Sequence, residues 1–337
     1  MKKYLLKFLI LFLLCLLPNI IIGFVRIYFG DENIAYLKNK KQNHLVYNFE
    51  EQDSFTKIKT YAITDLSRDT LGEVNLTYDY FGFTNQTENN KPEILFIGDS
   101  FFRNIINPTD SSIQARGNNI LKRNACYNIG SSGNSTFKVY NELLEREYLH
   151  KPKIIVLEIV ERYLTDWLDL KNQLENSLTK TNRGNFGLDF VFGNNFYDFG
   201  NFKTHSPTKD LHQGTPHYIN KRKVYFLKDQ LSHLNKNQID SLIINLKYAH
   251  DFFKKENIKI HFVIVPDKES VYPKMYGVSQ LSEIQKHIKE NNLPFIDLYS
   301  EFIKDPLQFY VDGDTHWNNR GIALFFDLLK EKGIFKL

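Results

Sequence analysis

The chain has 337 residues, of which 42% are hydrophobic and 15% aromatic, so it can bury a full core in one large domain or two smaller ones. Its 43 basic and 39 acidic residues give a net charge of +4, a balance that argues against a nucleic-acid partner, which needs a clustered basic face. Cys15 lies in an apolar terminal segment and Cys126 in a predicted strand, so no disulfide is expected.

The N-terminus carries one long apolar segment, Tyr4–Val25, behind Lys2 and Lys3. As a helix it would extend roughly 33 Å, enough to cross a bilayer core. A cleaved signal peptide has a shorter apolar core and a small-residue cleavage site, and this segment shows neither. Residues 1–25 are therefore predicted to form an uncleaved signal anchor in the cytoplasmic membrane, with the rest of the chain periplasmic or extracellular. Basic residues beyond the segment weaken the charge asymmetry, and cleavage is the competing interpretation.

The rest of the chain divides by pattern. Residues 26–90 are polar with short alternating runs, which predicts a stalk and a small strand-rich cap. From residue 91 onward, short apolar runs alternate with amphipathic segments, the signature of βαβ units and a parallel sheet. The predicted strands are Ile94–Ile97, Cys126–Ile129, Ile154–Ile159, Ile258–Val265 and Phe295–Leu298. The predicted helices are Thr136–Leu149, Gln238–Lys255, Leu281–Asn291 and Asn318–Lys332. A polar, aromatic and Gly/Asn-rich stretch over about 165–230 is predicted to be an insertion in the domain 91–337.

The first chemical motif is Gly98-Asp99-Ser100, which directly follows the strand Ile94–Ile97. Ligands of open α/β sheets bind beyond the carboxyl ends of the strands, so Ser100 stands where a nucleophile is needed. Gly98 permits a sharp turn. A serine in this place is also a common helix N-cap, so the motif alone does not decide.

The second motif, Asp314-Thr315-His316-Trp317, lies between the last predicted strand and the last predicted helix. A hydroxyl nucleophile needs a base, and the base needs a carboxylate that orients it. His316 and Asp314 supply both from one loop. A plain surface turn with Asn318 as a helix cap would be the non-catalytic interpretation. With the first motif, this pattern favours a Ser100–His316–Asp314 catalytic triad.

A third position is Gly133, at the end of the second predicted strand and ahead of a helix. Its backbone N–H is suited to an oxyanion hole together with that of Ser100, although an ordinary strand-to-helix turn would look the same.

These motifs resemble the SGNH hydrolase superfamily over residues 91–337. Two details make the alginate O-acetylation proteins the most similar branch: the Asp-x-His-Trp order, and the segment Pro266-x-Lys268-x-x-x-Tyr272. The resemblance implies a flavodoxin-like three-layer α/β/α sandwich with Lys268, Tyr272 and Trp317 as substrate-binding residues. It also implies an extracytoplasmic enzyme that O-acetylates an exported or cell-surface polysaccharide, often beside a membrane-bound O-acyltransferase.

The chain departs from that superfamily after the third strand. Arg162 stands about where an asparagine normally donates to the oxyanion. A guanidinium is a strong donor and can replace the amide or bind an acidic sugar. Alternatively, Glu161 and Arg162 form a structural ion pair.

Rival sites have weaker support. His205, His212 and His217 of the insertion match no metal-ligand spacing, so no metal and no cofactor are expected. A carbohydrate esterase or deacetylase would use the same triad with water as acceptor. The sequence is also compatible with a non-catalytic scaffold that binds polymer for a membrane acyltransferase, and with a D-alanyl-transfer accessory protein.

Overall fold

The computed structural model describes residues 56–336, except 68, 80, 82, 105, 131–135, 146, 179–213, 228–232 and 273–278. The predicted anchor, the predicted stalk and the centre of the predicted insertion lie outside the described residues. Within the described ranges, no helix combines the length and hydropathy that a membrane span requires. The chain divides into two compact units, and all the described residues belong to the unit formed by Glu51–Thr179 and His212–Leu337.

The described strands and helices alternate through most of the chain. The strands are β1 (Thr56–Ile63), β2 (Thr70–Tyr78), β3 (Ile94–Ile97), β4 (Cys126–Asn128), β5 (Ile154–Val160), β6 (Thr215–Ile219), β7 (Arg222–Phe226), β8 (Lys259–Val265) and β9 (Phe295–Ile296). The α-helices are α1 (Ser100–Arg103), α2 (Ile113–Leu121), α3 (Thr136–Glu145), α4 (Leu170–Leu178), α5 (Lys236–Lys255), α6 (Leu281–Glu290), α7 (Tyr299–Phe302) and α8 (Asn319–Glu331).

The core is a parallel sheet of five strands in the order β4-β3-β5-β8-β9. Counting these strands alone gives the order 2-1-3-4-5, a doubly wound arrangement whose direction reverses between β3 and β5. Every residue of β3, β4 and β5 is buried, which requires cover on both faces of the sheet. The predicted parallel sheet is therefore confirmed.

Aromatic side chains pack helices against this sheet and against one another. Phe96 of β3 packs against Phe325 and Phe326 of α8, with ring centroids 6.4 and 5.9 Å away. A second cluster joins two other helices, because Phe253 of α5 stacks on Phe137 of α3 at 6.0 Å. These apolar contacts hold the helical layers in place.

Two antiparallel hairpins stand outside the βαβ pattern. The first, β1–β2, comes from the region predicted as a cap and falls in the same compact unit as the sheet. The second, β6–β7, lies inside the predicted insertion and turns at Asn220 and Lys221, whose φ angles of 48° and 68° are typical of a tight two-residue hairpin turn. The first part of that insertion is also helical, with α4 following a 3₁₀ segment, Glu161–Asp169.

Candidate active site

The predicted nucleophile lies directly beyond the carboxyl end of β3. Ser100 is the first residue of the short helix α1, and Asp99 caps that helix by accepting a hydrogen bond from the backbone N–H of Phe101 at 3.2 Å. At Gly98 a Cβ atom would lie 2.2 Å from Oε2 of Glu158. The glycine therefore allows the turn to sit directly against the neighbouring strand.

Glu158 of β5 stabilises this turn through hydrogen bonds to its backbone. Its Oε2 accepts hydrogen bonds from the backbone N–H groups of Asp99 and Phe102, at 3.1 and 3.0 Å. The side chain is 1% exposed. Burial, followed by the charge and the hydrogen bond of Asp99, raises the pKa of Glu158 well above its ordinary value and favours the neutral carboxyl. No sequence motif indicated this role.

The second motif brings its histidine to the serine. Nε2 of His316 lies 2.9 Å from Oγ of Ser100, and Nδ1 lies 2.6 Å from Oδ1 of Asp314. Asp314 is buried and also accepts from the backbone N–H of His316 at 2.9 Å. With its Nδ1 proton directed to Asp314, the imidazole presents Nε2 as an acceptor to the Ser100 hydroxyl. The three residues of the predicted triad therefore lie in one hydrogen-bonded row.

The electrostatics of the row suit a general base. Burial alone lowers the pKa of His316, but the charge and hydrogen bond of Asp314 and the charge of Asp65 raise it above its ordinary value. Burial opposes ionisation of Asp314, yet His316 and backbone donors lower its pKa to about 2. Asp314 is thus ionised at neutral pH and favours the protonated imidazole that a proton transfer would create.

The other acid of the loop is engaged elsewhere. Asp312 binds Arg222 of β7 through two hydrogen bonds, of 3.1 and 2.6 Å, at a partly exposed position. Its backbone oxygen accepts from the N–H of Tyr225 at 2.8 Å. Of these two acids, Asp314 alone contacts the imidazole ring.

The segment after β8 stabilises this loop instead of facing a substrate. Lys268 is 1% exposed, and its Nζ donates to the backbone oxygens of Tyr225, Val311 and Asp312, at 3.1, 2.6 and 3.1 Å. The expectation that Lys268 binds substrate is therefore corrected, because its side chain is buried and all three of its bonds go to backbone oxygens. Tyr272 lies nearby, 8% exposed, with its ring against Phe226 at 5.1 Å.

Trp317 is likewise part of the core and is not exposed at all. Its Nε1 donates to the backbone oxygen of Phe101 at 3.2 Å, and its ring stacks on Phe325 at 5.5 Å. The expected contact between Trp317 and substrate is also corrected. The tryptophan instead joins the histidine loop to the nucleophile helix, because it bonds the residue next to Ser100.

Arg162 has a partner that differs from the expected one. Its guanidinium contacts Asp267 at 2.6 Å through both Nε and an η nitrogen, and the pair is almost fully buried. Glu161 accepts instead from the backbone N–H of Asp267 and from Oγ of Ser279, both at 2.8 Å. The structural ion pair thus joins Arg162 to Asp267, and not to Glu161.

Arg162 nevertheless lies close to the row. Its guanidinium carbon is 5.9 Å from the ring centroid of Phe101, and that ring lies 4.8 Å from the imidazole of His316. The other predicted oxyanion donor, Gly133, lies outside the described residues.

Sequence reasoning missed Asp65, in the turn between β1 and β2. Its backbone N–H donates to Oδ2 of Asp314 at 2.8 Å, and its carboxylate accepts from the N–H of Thr315 at 2.9 Å. Since 249 positions separate Asp65 from Asp314, no local pattern could connect them.

Among the described residues, Asp65, Asp314 and His316 form a group whose potential metal-ligand atoms lie within 4.8 Å of one another. Nδ1 of His316 and Oδ1 of Asp314 are already joined by a hydrogen bond, and the carboxylate of Asp65 accepts from Thr315, an arrangement that orients the imidazole. Of the histidines predicted not to bind metal, His217 packs its ring 5.5 Å from Phe226, while His205 and His212 lie outside the described residues.

Comparisons with known proteins add a distant likeness. No protein-family model matches the chain, and no curated protein matches it. Among solved structures, a GDSL-like lipase from Bacteroides thetaiotaomicron is 13% identical with a TM-score of 0.35, covering 74% of this chain and 89% of its own. An acetyl-xylooligosaccharide esterase from Geobacillus is 15% identical with a TM-score of 0.35, covering 73% and 96%. The esterase EstA from Pseudoalteromonas is 11% identical with a TM-score of 0.33, covering 72% and 96%. Similarity at this level does not establish the activity or the substrate of this chain.

Proposed function

We propose that the chain is a serine enzyme of acyl transfer, with Ser100 as nucleophile, His316 as general base and Asp314 as the acid that orients it. One observation supports this most directly: the hydrogen-bonded row from Ser100 Oγ through the imidazole to Asp314, with distances of 2.9 and 2.6 Å. A serine that only caps a helix needs no buried carboxylate–imidazole pair beside its hydroxyl.

The reaction has two steps. Nε2 of His316 takes the hydroxyl proton while Oγ of Ser100 bonds to the acyl carbon of an ester, and the resulting imidazolium returns the proton to the departing alkoxide. An acyl-Ser100 ester remains. In the second step an acceptor hydroxyl gives its proton to His316 and attacks the acyl carbon, and the imidazolium returns this proton to Oγ of Ser100 as the acyl–oxygen bond breaks. Asp314 stays ionised and stabilises the imidazolium in both steps.

Attack by Ser100 would place negative charge on the carbonyl oxygen of the ester, and this oxyanion needs hydrogen-bond donors. We assign this role to the backbone N–H groups of Ser100 and of Gly133, which follows β4 in the sequence, as the sequence motifs suggest. Arg162 contributes charge to this region, because its guanidinium lies over the Phe101 ring that contacts His316. Its pairing with Asp267 fixes its position.

We further propose that the enzyme is a membrane-anchored, extracytoplasmic O-acetyltransferase that modifies an exported or cell-surface polysaccharide, in partnership with a membrane-bound O-acyltransferase. The long apolar N-terminal segment and the resemblance of the sequence motifs to the alginate O-acetylation proteins support this. An esterase that releases the same groups is the second candidate. The His316 side chain is 18% exposed, and this exposure would allow water to reach an acyl-Ser100 intermediate.

Two experiments test the proposal. A fluorophosphonate probe should label the full-length protein at Ser100, and the Ser100→Ala and His316→Ala variants should remain unlabelled. Absence of labelling in the folded wild-type protein would favour the non-catalytic scaffold. The second experiment follows release of p-nitrophenol from p-nitrophenyl acetate with and without unacetylated oligosaccharide. Acetyl groups found on sugar identify a transferase, and acetate alone identifies an esterase.

A further inference from the structure

The turn between β1 and β2 is built onto the histidine loop. The backbone N–H groups of Leu66 and Ser67 both donate to the oxygen of Gly313, at 3.0 Å. A side chain at Gly313 would be excluded, because a Cβ atom there would lie 2.1 Å from Oγ of Ser67. The contact between the two segments is therefore close and specific.

Asp65, in the middle of this turn, contacts the triad twice. Its backbone N–H satisfies Oδ2 of Asp314, the oxygen that does not face the imidazole. Its own carboxylate accepts from the N–H and Oγ1 of Thr315, at 2.9 and 2.5 Å, and this places Oδ2 3.9 Å from Nδ1 of His316. Two carboxylates thus lie on the Nδ1 side of one imidazole.

We propose that Asp65 is a positioning residue of the acyl-transfer reaction, a second carboxylate that holds the histidine loop and stabilises the imidazolium form of His316. This inference rests on the proposed function of Ser100 and His316. It makes the β1–β2 hairpin a component of the active site.

The charges around the imidazole favour this role. Asp314 and Asp65 face it with carboxyl groups, and Arg162 opposes them from the segment after β5. Burial and the charge of Asp314 raise the pKa of Asp65, whereas the charge of His316 and the hydrogen bonds of Thr315 favour its ionised form. Asp99 lies on the serine side, with its Oδ1 3.4 Å from Oγ of Ser100. The ammonium of Lys268 offsets part of the negative charge of the two carboxylates. Opposite charges about 4 Å apart interact appreciably where solvent is partly excluded, and the Asp65 side chain is 35% exposed.

The test compares Asp65→Asn with wild-type protein in the pH dependence of kcat/KM for p-nitrophenyl acetate. The amide keeps the size of the side chain and the backbone bond to Asp314, but removes the charge. The acid limb should move to lower pH by roughly 0.5–1 unit, and the plateau should fall about 3- to 30-fold, because the imidazolium is less stabilised. Asp69→Asn is the matched control: it removes one charge from an exposed position in the same segment and should change kcat/KM less than about twofold.

A second measurement needs no turnover. The titration of His316, followed by NMR of ¹⁵N-labelled protein in a Ser100→Ala background, should move to lower pH when Asp65→Asn is added. An unchanged titration would overturn the role of Asp65, whether or not activity falls. Wild-type protein without any activity or Ser100 labelling would instead refute the proposed function and leave the titration result standing. If Asp65→Asn fails to fold, Asp65→Ser provides the neutral variant, since its hydroxyl can accept the N–H of Thr315.

Discussion

Replacing Asp314 by asparagine should nearly abolish acyl transfer, whereas the same change at Asp312 should not. The two acids belong to one loop and lie two residues apart, but only Asp314 contacts the imidazole. Both of its oxygens already accept N–H groups, Oδ1 from His316 and Oδ2 from Asp65. The amide NH₂ of asparagine must therefore face a donor on one side or the other.

The size of the loss follows from these contacts. The pKa of Asp314 falls from 3.8 to about 2, which at 1.36 kcal/mol per unit is about 2 kcal/mol, or on the order of 10²-fold in rate if the imidazolium loses that support. An amide NH₂ facing Nδ1 would also place the histidine proton on Nε2, toward Ser100, where it prevents base catalysis. The combined loss should be about 10²- to 10⁴-fold in kcat.

The assay is steady-state hydrolysis of p-nitrophenyl acetate, with thermal unfolding as a check on folding. Asp312→Asn should retain kcat within about threefold, because Asp312 binds Arg222 at a partly exposed position. Equal losses in the two variants, or a larger loss at Asp312, would refute the assignment of Asp314 as the orienting acid.

Three further predictions concern stability and topology. Burial and Asp99 raise the pKa of Glu158, so the folded protein keeps this proton above pH 4.5 while the unfolded chain loses it, and stability should fall as pH rises. Glu158→Gln should remove this slope: in urea titrations, the difference in unfolding free energy between the variant and wild type should grow as pH rises from 5 to 7, and a constant difference would contradict a raised pKa of Glu158. Lys268→Met should lower the unfolding free energy by about 1–3 kcal/mol, because three backbone oxygens lose the hydrogen bond that Nζ donates, and KM should not rise. A raised KM at unchanged stability would return Lys268 to the substrate site. A reporter phosphatase fused after Leu337 should be active and stay with the membrane fraction, whereas an active but soluble fusion would show cleavage, and an inactive, intact one would place the domain in the cytoplasm.

The sheet was predictable because its strands are buried on both faces. A strand of that kind is a continuous apolar run, and β3 begins and ends at the predicted residues, Ile94 and Ile97. The longer helices, such as α5 and α8, were predictable from the amphipathic spacing of their apolar residues. Helix α2 was missed because it carries glycine and two asparagines and buries only a short apolar stretch.

The triad was predictable for a different reason: two strand-end motifs of one sheet must meet at the same edge. The roles of Lys268 and Trp317 were not, because a motif names residue types and says nothing about their burial. Both residues lie beside the site but point into the core. The hairpin β6–β7 was missed because its alternating pattern is short and lies in a long polar stretch.

The histidine loop is held from outside the βαβ pattern as much as from within it. The β1–β2 turn bonds Gly313, the hairpin β6–β7 bonds Asp312, and Lys268 joins the backbone oxygens at the base of the loop. A triad requires the imidazole to be fixed in both position and orientation, and a loop of small and polar residues does not achieve this alone. The two hairpins therefore belong to the proposed catalytic apparatus, and residues 56–79 contribute contacts to the proposed triad instead of serving only as a spacer.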